Sequence, residues 1–369
     1  MSPPEVAVVI AVFRPDPQEL EEQLASLSAQ TGVRVRVLAV VADRVSGPLI
    51  TELTGRLGLE AELFVPEAPS NSYESFGLGL EAALSAFPDA QAFAFCDQDE
   101  LWDPDRLSLG LAALACRGVS LVHSDARVID RTGQELSPSL HGLERRTQPT
   151  SLRDLLLANV VTGMTSLFTR ETADAALPFP KQAAVFFHHD LWIALIAFTL
   201  GEIRFLDNPL VDYRQHDRNL VGAGLPPRPR HRIGGAAWRR HWGGTYYVAA
   251  YLAKSLYLRM TELASTGLGD VDRRKLGALR PYLSECGLGG AHLTDAIRAA
   301  GRARPDLAVH SAIFFLVRVA RAGLAAHNAI RGGFLPTLVE FDRKAFSNAP
   351  GVEPGDARRG TVAKSRHAI

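Results

Sequence analysis

The sequence predicts an α/β protein, with a mostly parallel sheet covered by helices on both faces and a helical region following it. Short apolar runs of strand length alternate with amphipathic stretches of helical period from residue 6 to residue 123, the rhythm that buries a parallel sheet between two helical layers. One of those runs, Phe93-Ala94-Phe95-Cys96, stops at Asp97-Gln98-Asp99-Glu100, three acids within four residues. Beyond residue 222 the pattern is helical only.

Residues 6–12 form an apolar run suited to a central strand. Asp16, Pro17 and Glu19 then supply an N-cap, a proline at the first helical position and an acid in the first turn, and Leu20, Leu24 and Leu27 recur at helical spacing. Residues 33–41 predict a second strand ending at Asp43, 49–57 a helix, 61–65 a third strand, and 73–87 a helix with Phe76, Leu80, Ala83, Leu84 and Phe87 on one face. Residues 92–96 feed the acidic turn. Asp103 as N-cap, Pro104 as first helical residue and a Trp102–Leu107 staple predict the next helix start. Further on, a strand is expected at 120–123, a short helix at 151–159, an apolar stretch broken by Gly163, a strongly apolar helix at 189–200, and a closing pair of strands at 203–206 and 210–213. Pro226, Pro227 and Pro229 place a boundary near 222. The expected domains are therefore 1–222 and a helical, basic 223–348, with a disordered tail at 349–369.

The 369 residues are 47% hydrophobic with a mean hydropathy of +0.02, the composition of a globular chain. Cys96, Cys116 and Cys286 are too few and too scattered for a disulfide framework or a zinc pattern. No signal peptide is expected at residues 1–6, and the apolar segments 191–200 and 312–317 fall short of the roughly 20 residues of a membrane span. A cytoplasmic protein is the expectation. Its formal charge of zero divides unevenly: residues 1–217 hold 30 acids and 16 Lys/Arg, residues 218–369 hold 10 and 24.

No G-x-G-x-x-G follows the first strand and no P-loop occurs, so a bound nucleotide would be held by side chains and a metal. Asp97 and Asp99, at the C-terminal tip of an interior strand, can share one hard cation that in turn holds a diphosphate; the bland alternative is a turn of surface acids. Asp43 is either a turn acid or an acceptor for a nucleotide base. Asp190, behind His188 and His189 at the start of the apolar helix, is placed by the helix dipole and suits a hydroxyl-activating base. In Tyr213-Arg214-Gln215-His216, Arg214 and His216 are candidates for phosphate contacts, and His216 for a metal ligand.

In order along residues 5–222, these features resemble the family 2 glycosyltransferases of the GT-A (nucleotide-diphospho-sugar transferase) fold, most of all rhamnosyltransferase-like members that build bacterial surface polysaccharides. The resemblance rests on Phe13-Arg14, the strand ending at Asp43, Asn71, Phe76 and Gly79-Leu80, and the Asp97-Gln98-Asp99-Glu100-Leu101-Trp102 turn. Gly163-Met164-Thr165, His189-Asp190-Leu191-Trp192 and Tyr213-Arg214-Gln215-His216 with Asn219 complete it. It implies a nucleotide-sugar site at Val12, Phe13, Arg14, Asp43, Asn71, Asp97 and Gln98, and Mg²⁺ or Mn²⁺ on Asp97, Asp99 and His216. It further implies Asp190 as catalytic base in an inverting transfer, Gly163, Met164, Thr165, His189 and Trp192 on the acceptor side, and Arg214 and His216 at the diphosphate. The acceptor would be a surface glycan or a lipid-linked glycan. Two departures stand out: Glu100 replaces the usual fourth Asp, and the second strand ends Ala42-Asp43-Arg44-Val45-Ser46 where paired acids before Gly-Ser are usual.

Residues 218–261 hold eight Lys/Arg and no acid, with Trp238, Trp242, Tyr246, Tyr247, Tyr251 and Tyr257 among them. Such a stretch suits an anionic membrane surface, making the protein peripheral on the inner face of the membrane, or a helical domain docked on the acidic half, in the same chain or in a homo-oligomer. No nucleic-acid module accompanies it, so no nucleic-acid partner is expected. A catalytically inactive relic of the same fold serving as a scaffold is the other reading. A sugar-phosphate nucleotidyltransferase is disfavoured because its Gly-rich basic loop is missing.

Overall fold

The computed structural model describes residues 2–68, 70–181, 188–215, 235–266, 273–279 and the single positions 282, 294, 298 and 312, with the side chains of 235–248, 250 and 273 left aside. In chain order the elements are β1 (Glu5–Val12), α1 (Pro17–Ser28), β2 (Arg34–Val41), α2 (Gly47–Leu57), β3 (Glu60–Phe64), α3 (Ser72–Ala86), β4 (Ala92–Cys96), β5 (Leu101–Trp102) and α4 (Arg106–Leu114). Then come β6 (Val119–Ile129), β7 (Glu135–Ser137), α5 (Leu140–Glu144), α6 (Leu152–Leu157), β8 (Ser166–Thr169), α7 (Arg170–Ala176), α8 (His189–Leu200), β9 (Glu202–Arg214), α9 (Gly235–Thr266) and α10 (Arg273–Gly277).

The nine strands make one sheet in the order β3-β2-β1-β4-β8-β6-β9-β5, with β7 on β6. Its first half is parallel, as the alternation of strands and helices requires: β1 pairs with β2 and β4, and β2 with β3. The second half is mixed, because β8 runs antiparallel between β4 and β6 while β9 lies parallel to β6.

Side-chain alternation splits the core between the two faces of the sheet. Ala7, Val9, Leu38, Val40, Phe93 and Phe95 join the layer of α3, α6, α7, α8 and α9. Val6, Val8, Ile10, Val37, Ala39, Ala92 and Ala94 join that of α1, α2 and α4. Phe93, Phe95 and Phe168 are fully buried, each worth roughly 1.5–3 kcal/mol of burial. Helix α3 lies so close to the sheet that a Cβ on Gly79 would come within 2.5 Å of Val9 and 2.6 Å of Val40.

Three expectations change. Helix α4 starts at Arg106 with Asp105 as N-cap, not at Pro104, because Leu101 and Trp102 are drawn into β5 against Val211 and Asp212 and Asp103 pairs with Arg127. The closing pair of strands is one strand, β9, whose irregularity around Pro209 is absorbed by register shifts along β6; a proline has no N–H for the ladder. The elements β7, α5 and α7 had no sequence signal strong enough to place them. The C-terminal half of α9 contributes Leu252, Leu256 and Met260 to the same core layer as α8. Beyond residue 283 the described residues are 294, 298 and 312 alone, and the expected tail at 349–369 lies outside them. No described helix is long and apolar enough to cross a membrane.

Candidate active site

A cavity of about 1130 Å³ opens at the C-terminal tips of β1 and β4, where sheets of this kind bind ligands. One wall is Ala11–Arg14, Ala42 and Asp97–Glu100, with Ser70 and Asn71 at the start of α3. The rest of the lining, a helix wall, comes from Leu140, Glu144, Arg146, Asn159 and residues 161–164, followed by His188–Asp190.

The sheet wall is shaped by side chains that hold backbone. Arg14 sits at a φ of +46°, a conformation costly for a residue with a Cβ, and its N–H donates to Asp43 Oδ2 at 2.7 Å. Asp43 Oδ1 also accepts from Val45 and Ser46 N–H at 3.0 Å each. Burial works to raise its pKa, but these hydrogen bonds and that of the Ser46 hydroxyl outweigh it and leave the carboxyl below its usual range. Gln98 clamps Phe13 from the acidic turn, accepting from its N–H at 2.8 Å and donating to its carbonyl at 3.3 Å. Asn71 caps α3 in a reciprocal capping box with Glu74.

Acids dominate the middle of the cavity. Loss of water contact, then Asp99, then Asp190 push Asp97 up to about 7, so the β4 tip and the start of α8 share one electrostatic field. Glu100 is buried, and neither of its carboxyl oxygens has a hydrogen-bond partner among the described residues. Burial raises Asp190 as well, against the lowering effect of His188, Arg146 and the backbone N–H groups of Leu191 and Gly163.

His189 packs against Phe76 and Phe95, with ring centroids at 3.9 Å and 4.9 Å. Burial, with His188 nearby, lowers its pKa to about 3, so the ring is neutral. A Cβ on Gly163 would come within 2.4 Å of its Nε2, so only glycine lets this turn meet the histidine. Arg106, stacked 3.4 Å from the Trp102 ring, donates to the carbonyls of Met164 and Ser166 and so ties the turn to α4.

The structure therefore brings together Val12, Phe13, Arg14, Asn71, Asp97, Gln98, Asp99, Gly163, Met164, His189 and Asp190. Asp43 stands behind the wall. Thr165 turns its hydroxyl to the Thr162 carbonyl at 2.9 Å. Trp192 is in the core, its Nε1 donating to Ala176 at 2.8 Å, so the apolar helix uses it for packing. Arg214 is buried and donates to the carbonyls of Asp99 and Arg131 and to Glu22, so it braces the acidic turn from behind and does not line the cavity. His216 lies outside the described residues. Sequence reasoning missed Glu144, Arg146, Asn159 and Thr162; the Arg145-Arg146 pair in an acidic half was the one available hint.

Among the described residues no group of three His, Cys, Asp or Glu side chains is arranged as a metal site. Asp97 and Asp99 do fit Mg²⁺ or Mn²⁺ as hard oxygen donors, since such a cation usually takes one or two carboxylates and fills its shell with phosphate and water. Burial is the main cause of the raised Asp97 pKa; the negative charge of Asp99 and Asp190, which adds to it, is what a cation there would relieve.

No protein-family model matches the chain, and no curated protein matches it. Among solved structures it is similar to S. aureus TarS 1–349 in complex with UDP-GlcNAc, with 13% identity over 86% of this chain and 92% of that one and a TM-score of 0.47. A longer TarS chain matches with 13% identity over 78% of this chain and 43% of that one, TM-score 0.46. The mannosyltransferase PcManGT from Pyrobaculum calidifontis, in complex with GDP-Man and Mn2+, matches with 17% identity over 95% and 89%, TM-score 0.46. What this chain does is inferred below from its own site.

Proposed function

We propose that this protein is a nucleotide-sugar-dependent glycosyltransferase of the GT-A fold, inverting and dependent on Mg²⁺ or Mn²⁺. The observation that carries this reading is the convergence of Asp97, Asp99 and Asp190 on one cavity large enough for a nucleotide sugar. The wall of Phe13, Arg14 and Gln98 holds the nucleotide. Asp97 and Asp99 hold the cation, which when bound stabilises the negative charge of a departing diphosphate.

Asp190 takes the proton of an acceptor hydroxyl. The acceptor oxygen bonds to the anomeric carbon as the bond to the diphosphate oxygen breaks, and the electron pair leaves with the nucleoside diphosphate. One displacement inverts the centre, and the raised pKa of Asp190 suits a base. The neutral His189 ring and Gly163 shape the acceptor side next to it. A rhamnose-like donor, a surface-glycan or lipid-linked acceptor, and a cytoplasmic, membrane-peripheral location follow from the family resemblance and the basic stretch after residue 217.

The test is a thermal-shift screen of the full chain against UDP, dTDP, GDP and CDP with and without Mn²⁺, since ligands that bind only the native state raise its melting temperature. A metal-dependent shift with one nucleotide, absent in Asp99→Asn, is expected. No shift with any of the four would favour an inactive scaffold.

A further inference from the structure

The cavity is rich in carboxylates, yet one guanidinium is built into the wall that carries Asp190. Arg146 is fixed at two of its three nitrogens: Nη1 donates to the Val160 carbonyl at 3.1 Å and to Thr162 Oγ1 at 2.6 Å, and Nε to Glu144 Oε2 at 2.7 Å. Nη2 has no partner among the described residues and is not one of the buried polar atoms left without one, so in a side chain lining the cavity it stays accessible. A fork locked in this way is preorganised for an oxyanion, because little side-chain freedom remains to be lost on binding.

Position narrows the ligand. Arg146 hangs on Val160 and Thr162, directly before Gly163, whose N–H serves Asp190. Its charge reaches Asp190 and works against that group's raised pKa. Asp97 and Asp99, the acids proposed to hold the diphosphate through a cation, come from another segment, the β4 tip. An anion on Nη2 would thus sit beside the incoming hydroxyl. Without such a cation, the acids around the cavity would repel it.

Resting on the glycosyltransferase reading above, we infer that the acceptor carries a phosphate group next to its attacking hydroxyl and that Arg146 binds it. A lipid-borne phosphate ester and a soluble sugar or polyol phosphate share this chemistry.

Binding of n-octyl phosphate, glycerol 3-phosphate and neutral octyl β-glucoside to the full chain, with Mn²⁺ and the nucleotide that shifts its melting temperature, is measured by ligand-observed NMR. Wild type should bind at least one phosphate ester about tenfold or more tightly than the glucoside. Preference for octyl phosphate points to the lipid source, equal binding of both esters to the soluble one. Arg146→Met should lose that binding by a similar factor and keep the nucleotide shift. Should this variant melt early, Arg146→Lys, which keeps the charge, should retain part of the phosphate binding and the whole nucleotide shift. Unchanged phosphate binding in Arg146→Met, or equal binding of glucoside and phosphates by wild type, overturns the inference. Absence of any metal-dependent nucleotide shift in wild type fails the transferase reading itself.

Discussion

On the sheet wall of the cavity, Asp43 holds Val45 and Ser46 within its own turn and Arg14 at the neighbouring strand tip, and Gln98 likewise spans from one strand tip to the next. The helix wall is joined by side chains that cross between elements which are not neighbouring strand tips: Arg106 reaches Met164, Arg146 reaches Val160 and Thr162, and Gly163 meets His189. The first wall consists of turn chemistry repeated at successive strand ends. The second depends on the packing of helices and connecting segments against one another. Damage to the first should therefore act on ligand binding, and damage to the second on catalysis or global stability.

The sharpest test of this contrast sets Asp190→Asn against Asp99→Asn. With Asp190 as the proposed base, its replacement should lower transfer by about 10²–10⁴-fold and leave the metal-dependent nucleotide shift intact, whereas Asp99→Asn should abolish the shift. Next in size, Trp192→Ala should cost roughly 3–5 kcal/mol of stability, as expected for a large, fully buried side chain, measured by denaturant unfolding. An effect confined to acceptor KM would instead restore Trp192 to the site. Gly163→Ala forces the His189 ring to shift, an overpacking worth about 1–3 kcal/mol, and transfer should fall further than stability does.

His123 offers a pH test behind the helix wall. It is buried beside His141 and Phe205, with Gln148 on its Nε2 and Asp125 and Arg146 in electrostatic reach, and burial lowers its pKa from 6.5 to about 3. The unfolded chain therefore binds a proton that the folded one refuses between those values, so stability falls as pH drops from 6.5 towards 3. Melting temperature against pH should be shallower over that window in His123→Phe; an unaltered slope would exclude the imidazole as the cause. Smallest of all, Asn71→Ala removes a helix cap of the sheet wall and should cost about 1 kcal/mol, with nucleotide affinity read alongside.

How far the sequence disclosed the molecule follows the same division. Strands β1, β2, β3 and β4 with α1, α2 and α3 were placed nearly to the residue, since each is specified by its own alternation, cap or apolar face. Asp97, Asp99 and Asp190 were found because acids at a strand tip or in a first helical turn have local signatures. Arg146 and Thr162 carry no such signature; only packing gives them a role. Arg214 shows the opposite failure. Its place at a strand end suggested phosphate, but the fold turns it inward to the Asp99 carbonyl, where burial and three acceptors hold it. Trp192 likewise lay within the right motif and faces the core.

The bracing by Arg214 also sets a timetable for the growing chain. Its partners Glu22 and Asp99 precede it by 192 and 115 residues, so every acid of the β4 tip emerges from the ribosome long before the residue that steadies their turn. A nascent chain halted before residue 214 would display Asp97-Gln98-Asp99 on an unbraced loop. Contacts across such separations form late because loop closure must precede them. The acidic turn is thus fully braced only when β9 arrives, after more than half of the chain has been made.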